Sequence, residues 1–281
     1  MKTWLETYKA NKINIFVDIS TYCNAGCPQC HRTENKQGGL RKVDWLPLVR
    51  WSVDEFKQAY TEDLVRATHT WEICGTWGDP IMNKDMYEIA KYILSVNPRT
   101  MLTIDTNGSI RPLSWWKKLG ELSSMCEKVN EYSERGCIRV DFAIEGITQK
   151  MQEQYRRFTK LDVILANMKA FTDAGGMAIG FCVVHKHNQD YLQEIKDLCI
   201  EHGAYKVHFA ENNRFFSGPK WSFVNEHGEL DMLEQAEEGY YQPDEVRGSQ
   251  SDWKTRTEHH PHWKRVLAEK VAQVVETEDI R

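Results

Sequence analysis

The 281-residue chain is 41% hydrophobic and carries 36 basic against 41 acidic side chains, a net charge of −5; it can build a core, which excludes wholesale disorder and argues against general nucleic-acid binding. Eight unevenly spaced cysteines are too few for a disulfide scaffold and point to metal or redox chemistry in a reducing compartment. No apolar run approaches the ~20 residues of a membrane span, and the first residues have no signal-peptide core, so a cytoplasmic location without membrane contact is expected.

Residues 13–20, rich in β-branched side chains, predict a first strand, and a cysteine-rich loop follows it. Residues 53–66 predict a helix capped by Ser52. Residues 71–74 predict a short strand. Residues 84–95 predict a helix capped by Asn83, with Met86, Ile89, Ala90, Ile93 and Leu94 at helical spacing. Strand 100–106 closes at Asn107-Gly108 and leads to helix 114–129. Strand 138–145, helix 161–174, strand 177–184, helix 189–202 and strand 205–210 complete six strand units. This alternation predicts an α/β fold with a parallel sheet, either a partial barrel or an open doubly wound sheet.

Composition shifts near residue 211. From Glu211 to Arg281 the chain holds nine basic and fifteen acidic residues and no cysteine. Helices are expected over 229–239 and 263–275, with the boundary between core and tail near 213–219. His259, His260 and His262 read as an exposed turn, since no carboxylate or cysteine frames them as metal ligands. Arg214, Phe215, Phe216, Lys220 and Trp221 either cross the mouth of the sheet toward substrate or pack outside it. Trp115 and Trp116 pose the same choice, with helix packing expected for at least one.

The sharpest signal is Cys23-Asn24-Ala25-Gly26-Cys27-Pro28-Gln29-Cys30, directly after the first strand. Three thiolates on one curled loop can hold three corners of an iron-sulfur cluster and leave one iron open to a small molecule. Three other readings compete. Cys27-Pro28-Gln29-Cys30 could be a redox pair, but Cys23 would be unexplained. Cys23, Cys27, Cys30 and His31 could hold structural zinc, though adjacent Cys30 and His31 are awkward ligands for one tetrahedral ion. The cysteines could be core residues, but a loop rich in Gly, Pro and Asn makes a poor core.

This loop resembles the cluster motif of the radical S-adenosylmethionine (radical SAM) superfamily, and the similarity runs over residues 12–212 through several motifs in order. The resemblance implies a partial (β/α)6 barrel with a C-terminal extension, divided as core 1–212 and extension 213–281. It implies a [4Fe-4S] cluster on Cys23, Cys27 and Cys30, whose open iron chelates S-adenosyl-L-methionine (SAM). Reductive cleavage would then give a 5′-deoxyadenosyl radical that abstracts hydrogen from substrate. Residues Trp77-Gly78-Asp79-Pro80 look like the family segment that receives the SAM ammonium. Thr106-Asn107-Gly108 resembles a family turn at the barrel mouth. Glu145, in Ala143-Ile144-Glu145-Gly146, takes the place of the ribose-binding acid, with Ala143 where a Ser is common. Arg156 aligns with an arginine that pairs with the SAM carboxylate, while Arg157 reads as solvated. Asn188 stands where relatives often carry Asn. One departure is Gln29, where an aromatic residue near the adenine is usual.

The other cysteines (Cys74, Cys126, Cys137, Cys182 and Cys199) are scattered and read mostly as buried single thiols, so no auxiliary cluster is expected. The core looks most like the peptide-maturing branch, which favours a peptide or protein substrate. The whole chain is similar to small radical SAM proteins of bacteriophage genomes. The enzymatic alternative is a nucleotide or other small molecule, as in 7-carboxy-7-deazaguanine synthase-like proteins. An electron donor such as flavodoxin or ferredoxin is implied. A non-catalytic iron-sulfur or zinc binding module is the reading from another class.

Overall fold

A computed structural model describes residues 13–36, 39–125, 136–212, 214–215, 217–237 and 246–247. Six strands alternate with helices: β1 (Ile13–Val17), β2 (Thr68–Ile73), β3 (Met101–Thr106), β4 (Ile138–Ala143), β5 (Met177–Val184) and β6 (Lys206–Glu211). All pair in parallel in sequence order, with β1 at one edge. Beyond β6 the sheet gains a short parallel strand, β9 (Val246–Arg247), opposite Phe209 and Ala210. The curved sheet stays open, which makes it the partial barrel that the motifs imply. Among the described residues no helix is long and apolar enough to cross a membrane.

The strands alternate between two environments because successive side chains point to opposite faces. Trp71, Ile73, Leu102, Ile104, Ile138, Val140 and Phe142 are fully buried beneath the helices. The other face carries Glu72, Thr103, Arg139 and Asp141, where Arg139 donates to both oxygens of Asp141 at 2.6 and 2.5 Å. Helices α3 (Met86–Val96), α4 (Leu113–Ser124), α6 (Leu161–Asp173) and α7 (Leu192–Glu201) present apolar stripes to the sheet. Trp116 is wholly buried against Phe142 and Phe171, and Trp115 lies edge-on to it, so both belong to helix packing.

Several local expectations are corrected. The helix expected over 53–66 is two helices, α1 (Val53–Ala59) and α2 (Glu62–Ala67). Ser52 caps α1 in a reciprocal box with Glu55, and Thr61 caps α2, so a second cap restarts the chain. Strand β2 begins at Thr68, three residues early, and Cys74 lies beyond its end. Asp85, not Asn83, stands at the N-cap of α3; the Asn83 amide instead donates to Ile19 O and Trp51 O. A short helix α5 (Gln149–Tyr155), capped by Thr148, follows β4.

The helix expected over 229–239 is absent from the described part of that span. Residues there form an antiparallel hairpin, β7 (Lys220–Val224) with β8 (Leu230–Glu234). Its turn is built by Asn225, whose side-chain oxygen accepts from His227 N and Glu229 N, and by Gly228 at φ +80°. That turn chemistry overrides the helical periodicity. The helix expected over 263–275, the three tail histidines, Phe216, Cys126 and the end of helix 114–129 lie outside the described residues.

Candidate active site

Except for Arg156, which stands at the end of α5, the motif residues singled out from the sequence lie at the carboxyl ends of the strands or on loops leaving them. This is where parallel α/β sheets place their chemistry, because the connections there are free to vary. The loop after β1 carries Cys23, Cys27 and Cys30. Asp79 follows β2, Thr106 and Asn107 end β3, Glu145 follows β4, Asn188 follows β5 and Asn212 follows β6.

The three cysteines sit in one apolar cluster with Ala25, Leu40, Tyr155, Phe223 and Leu233. Phe223 and Leu233 come from the hairpin, so part of the C-terminal extension packs onto the cysteine loop. Arg157 fastens it there, donating to Glu226 at 3.1 Å and to Asp231 at 2.5 Å while its carbonyl accepts from Gly26 N. The expectation that Arg157 is merely solvated is therefore corrected. Gly78 is needed for close approach: a Cβ there would lie 2.2 Å from Ser20 O.

Asp79 is 3% exposed, and its carboxylate meets four donors. Thr106 Oγ1 donates at 2.8 Å, Asn107 N at 2.8 Å, Asn107 Nδ2 at 2.6 Å and Ile81 N at 3.1 Å. Pro80 opens the short turn that supplies the last of these. These bonds engage the whole carboxylate in ordering the end of β3. Burial nevertheless raises the Asp79 pKa, with the Asn107 and Thr106 bonds opposing it. Asn107 also donates to Asn24 at 3.0 Å and lies 3.8 Å from Cys23 Sγ. Arg111 clamps the same turn from a left-handed backbone (φ 74°), donating to Ile81 O and Asn83 O at 2.7 Å. Nothing in its local sequence announces that role.

Glu145 is wholly buried and paired with Arg156, whose Nε and Nη2 both lie 2.8 Å from Oε1. The Arg156 Nη1 lies 3.7 Å from Cys27 Sγ. Glu145 is held in place by Gln152, which accepts from Glu145 N, and by Asn188, which donates to Glu145 O at 3.1 Å. Asn188 thus welds the ends of β4 and β5 and makes no side-chain cap. The second carboxylate oxygen, Oε2, is buried without a partner. Burial raises the Glu145 pKa and the Arg156 charge offsets part of that rise; burial alone would lower the Arg156 pKa, but Glu145 and then Cys27 hold it well above its usual value. Nε donates a charge-assisted bond to Oε1, and Nη2 adds an ion-pair contact.

The Cys23 and Cys27 thiols are poorly placed to ionise alone. Burial pushes Cys27 up to about 11 despite Arg156, and burial, Asp79 and Cys27 push Cys23 higher. Only cationic ligands such as iron would hold them as thiolates. Among the described residues no three His, Cys, Asp or Glu side chains are arranged around one metal ion, so the zinc alternative has no geometric support. A cluster places each thiolate on a different iron, which suits three separated cysteines in an apolar wall. An orphaned carboxylate oxygen and a buried arginine beside that wall suit a nucleoside diol and a carboxylate. The residues fit both implied groups. Cys137, Cys182 and Cys199 are buried thiols outside any disulfide, as expected.

Sequence reasoning passed over His185, which is fully buried and tilted against the Tyr155 ring at 4.5 Å. Burial and neighbouring His187 hold His185 down at about 3, and burial holds His187 at about 4. Unfolded histidines titrate near ~6.5. The unfolded chain therefore takes up protons first as pH falls, and stability present above pH ~6.5 is lost toward pH ~4. The raised carboxyls of Asp79 and Glu145 act with opposite sign. The urea midpoint is expected to fall between pH 7 and about 5.5; a flat midpoint over that window would remove this account of the two histidines.

Residues 17–199 match the Radical SAM superfamily, and the chain belongs to that family. It is a radical SAM enzyme, whose cofactors are a [4Fe-4S] cluster and S-adenosylmethionine. Its fold is similar to that of Streptococcus suis SuiB bound to precursor peptide SuiA, at 15% identity and TM-score 0.52 over 73% of this chain and 42% of that one. SuiB bound to S-adenosylmethionine matches at 14% identity and TM-score 0.52, over 96% of this chain and 48% of that one. Tagged anSMEcpe with bound AdoMet matches at 14% identity and TM-score 0.51, over 70% of this chain and 50% of that one. This chain spans about half the length of these proteins or less.

Proposed function

We propose that this enzyme abstracts hydrogen from a peptide or protein side chain. When bound, the cluster and SAM supply one-electron reductive cleavage of the sulfonium, and through it the hydrogen abstraction. Cys23, Cys27 and Cys30 hold the cluster. Arg156 keeps guanidinium hydrogens beyond those given to Glu145 and pairs with the SAM carboxylate. The segment Gly78-Asp79-Pro80 faces the SAM amino group with its backbone, and the Asp79 charge adds attraction. Glu145 accepts the ribose diol at Oε2. Thr106 and Asn107 wall the pocket, and Asn188 acts through Glu145. Residues 213–281 form an extension whose hairpin excludes water from the cluster loop. An electron carrier such as flavodoxin or ferredoxin supplies the electron, which suits a cytoplasmic setting.

The observation that carries the chemistry is the placement of Arg156 against both Glu145 and Cys27. For the substrate, the support is the likeness in fold to SuiB, a protein seen with a precursor peptide. A basic, aromatic channel beside Arg156 and Arg214 would favour the nucleotide alternative; Arg214 instead donates to Gln29 O at 3.0 Å.

The test is anaerobic reconstitution with iron and sulfide, then reduction with SAM, following 5′-deoxyadenosine. Wild type is expected to form it and Cys27→Ala to form none; product from Cys27→Ala at the wild-type rate would overturn the cluster assignment. Deuterated host peptides and a deuterated small-molecule fraction are then offered separately. Deuterium in 5′-deoxyadenosine from the peptides alone is expected; transfer from the small molecules alone would overturn the peptide reading.

A further inference from the structure

We propose that Gln29 binds the adenine of SAM through its side-chain amide, held in the donating orientation by Asn212 and His185. This rests on the functional reading above and deepens it. Gln29 lies between two cluster cysteines and is 4% exposed. Its Oε1 accepts from Asn212 Nδ2 at 2.5 Å, and its carbonyl accepts from Arg214. Its Nε2 is buried with no partner.

The orientation of that amide follows from the chain of bonds behind it. Val183 O can only accept, so the His185 nitrogen 3.0 Å away, Nδ1, carries the hydrogen. The imidazole is neutral, which leaves Nε2 bare. Asn212 must then present its amino group to His185 Nε2, 2.7 Å away, while its Oδ1 accepts from Arg214 N at 2.9 Å. The other hydrogen of that amino group goes to Gln29, which must answer with Oε1. A flipped Gln29 would set two donors against each other. The free end of the side chain is therefore an amino group with two hydrogens and nothing to receive them.

A buried donor without an acceptor costs about 1–3 kcal/mol, and such a group persists where a ligand completes it. Among the buried polar atoms without a partner, the Gln29 donor and the Glu145 Oε2 acceptor both belong to residues of this mouth. A chain of contacts through Asn212, His185, Tyr155 and Arg156 links them. The nucleoside half of SAM satisfies both, with ribose hydroxyls donating to Glu145 and an adenine ring nitrogen accepting from Gln29. A hydrogen bond thus does at position 29 what an apolar ring contact cannot, since it rejects bases that lack the acceptor.

The experiment measures S-adenosylhomocysteine binding by anaerobic calorimetry on the cluster-loaded full chain, with iron content in parallel. Gln29→Glu keeps the shape and the oxygen facing Asn212 but removes the amino group. Asn212→Asp leaves Gln29 intact but removes the donor it answers, so its amide turns over. Both are expected to weaken binding about tenfold with iron content unchanged. Binding equal to wild type in Gln29→Glu would overturn the inference. So would a loss that tracks lost iron, since Gln29 would then only brace the cluster loop. A fully loaded wild type that binds no nucleoside would overturn the functional reading itself and this inference with it.

Discussion

Replacing Arg156 with methionine is expected to destabilise the cluster-free protein by about 3–5 kcal/mol, because it strands a carboxylate that is wholly buried. Arg156 Nε donates to Glu145 Oε1, Nη2 lies 2.8 Å from the same oxygen, and the guanidinium charge is the main offset to the burial of that group. Without it the Glu145 pKa rises further and the carboxyl takes a proton. The deficit therefore grows as pH rises through that shifted value and shrinks as pH falls. The double variant Arg156→Met/Glu145→Gln is expected to recover most of the stability, since no buried charge remains. It is not expected to recover SAM binding, since the guanidinium and the free carboxylate oxygen are both gone. Urea unfolding and anaerobic calorimetry separate the two effects. A double variant as unstable as Arg156→Met would show that the ion pair is not the source of the cost.

Asp79→Ala is expected to cost at least about 3 kcal/mol, since it leaves Thr106, Ile81 N and two Asn107 donors in the buried mouth without their acceptor. Asp79→Asn keeps one accepting oxygen and should cost roughly half as much. The local signature is faster amide hydrogen exchange at Asn107, whose N–H is bonded to Asp79. The loss should spread to Cys23 through Asn107 and Asn24, so cluster loading should slow as well. Unchanged exchange at Asn107 would mean that the end of β3 is ordered by something other than this carboxylate.

The two expectations share a physical basis. Each acid named by its motif position gathers donors from the protein itself at the mouth of the sheet. Asp79 gathers neutral donors and orders a loop. Glu145 gathers one cation and keeps an oxygen back. The difference explains why the first reads as a framework residue and the second as a ligand group.

Much of this is legible in the amino-acid sequence. The strand and helix rhythm follows from local periodicity, but the sequential order of the six parallel strands does not, since the same rhythm suits a doubly wound sheet; strand pairing in the folded sheet decides it. The spacing of Cys23, Cys27 and Cys30, the places of Asp79 and Glu145 after the second and fourth strands, and Arg156 in the segment beyond Glu145 identify the mouth of the sheet. Over residues 53–66 the continuous helical propensity misleads, because a second cap at Thr61 outweighs it. Over residues 229–239 periodicity misleads as well, because the turn at Asn225 and Gly228 and the pairing with β7 decide between helix and hairpin.

What the tertiary structure alone decides is how the motif residues divide their hydrogen bonds. No local pattern says that Arg157 fastens the hairpin to the cysteine loop, that Arg156 turns to Glu145, or that Asn212 reaches Gln29 across 183 positions. Those choices depend on which donors and acceptors the folded sheet brings together once water has left. Sequence determines which groups exist and on which strand end each stands. The packed mouth determines which of them are satisfied by the protein and which remain for a ligand.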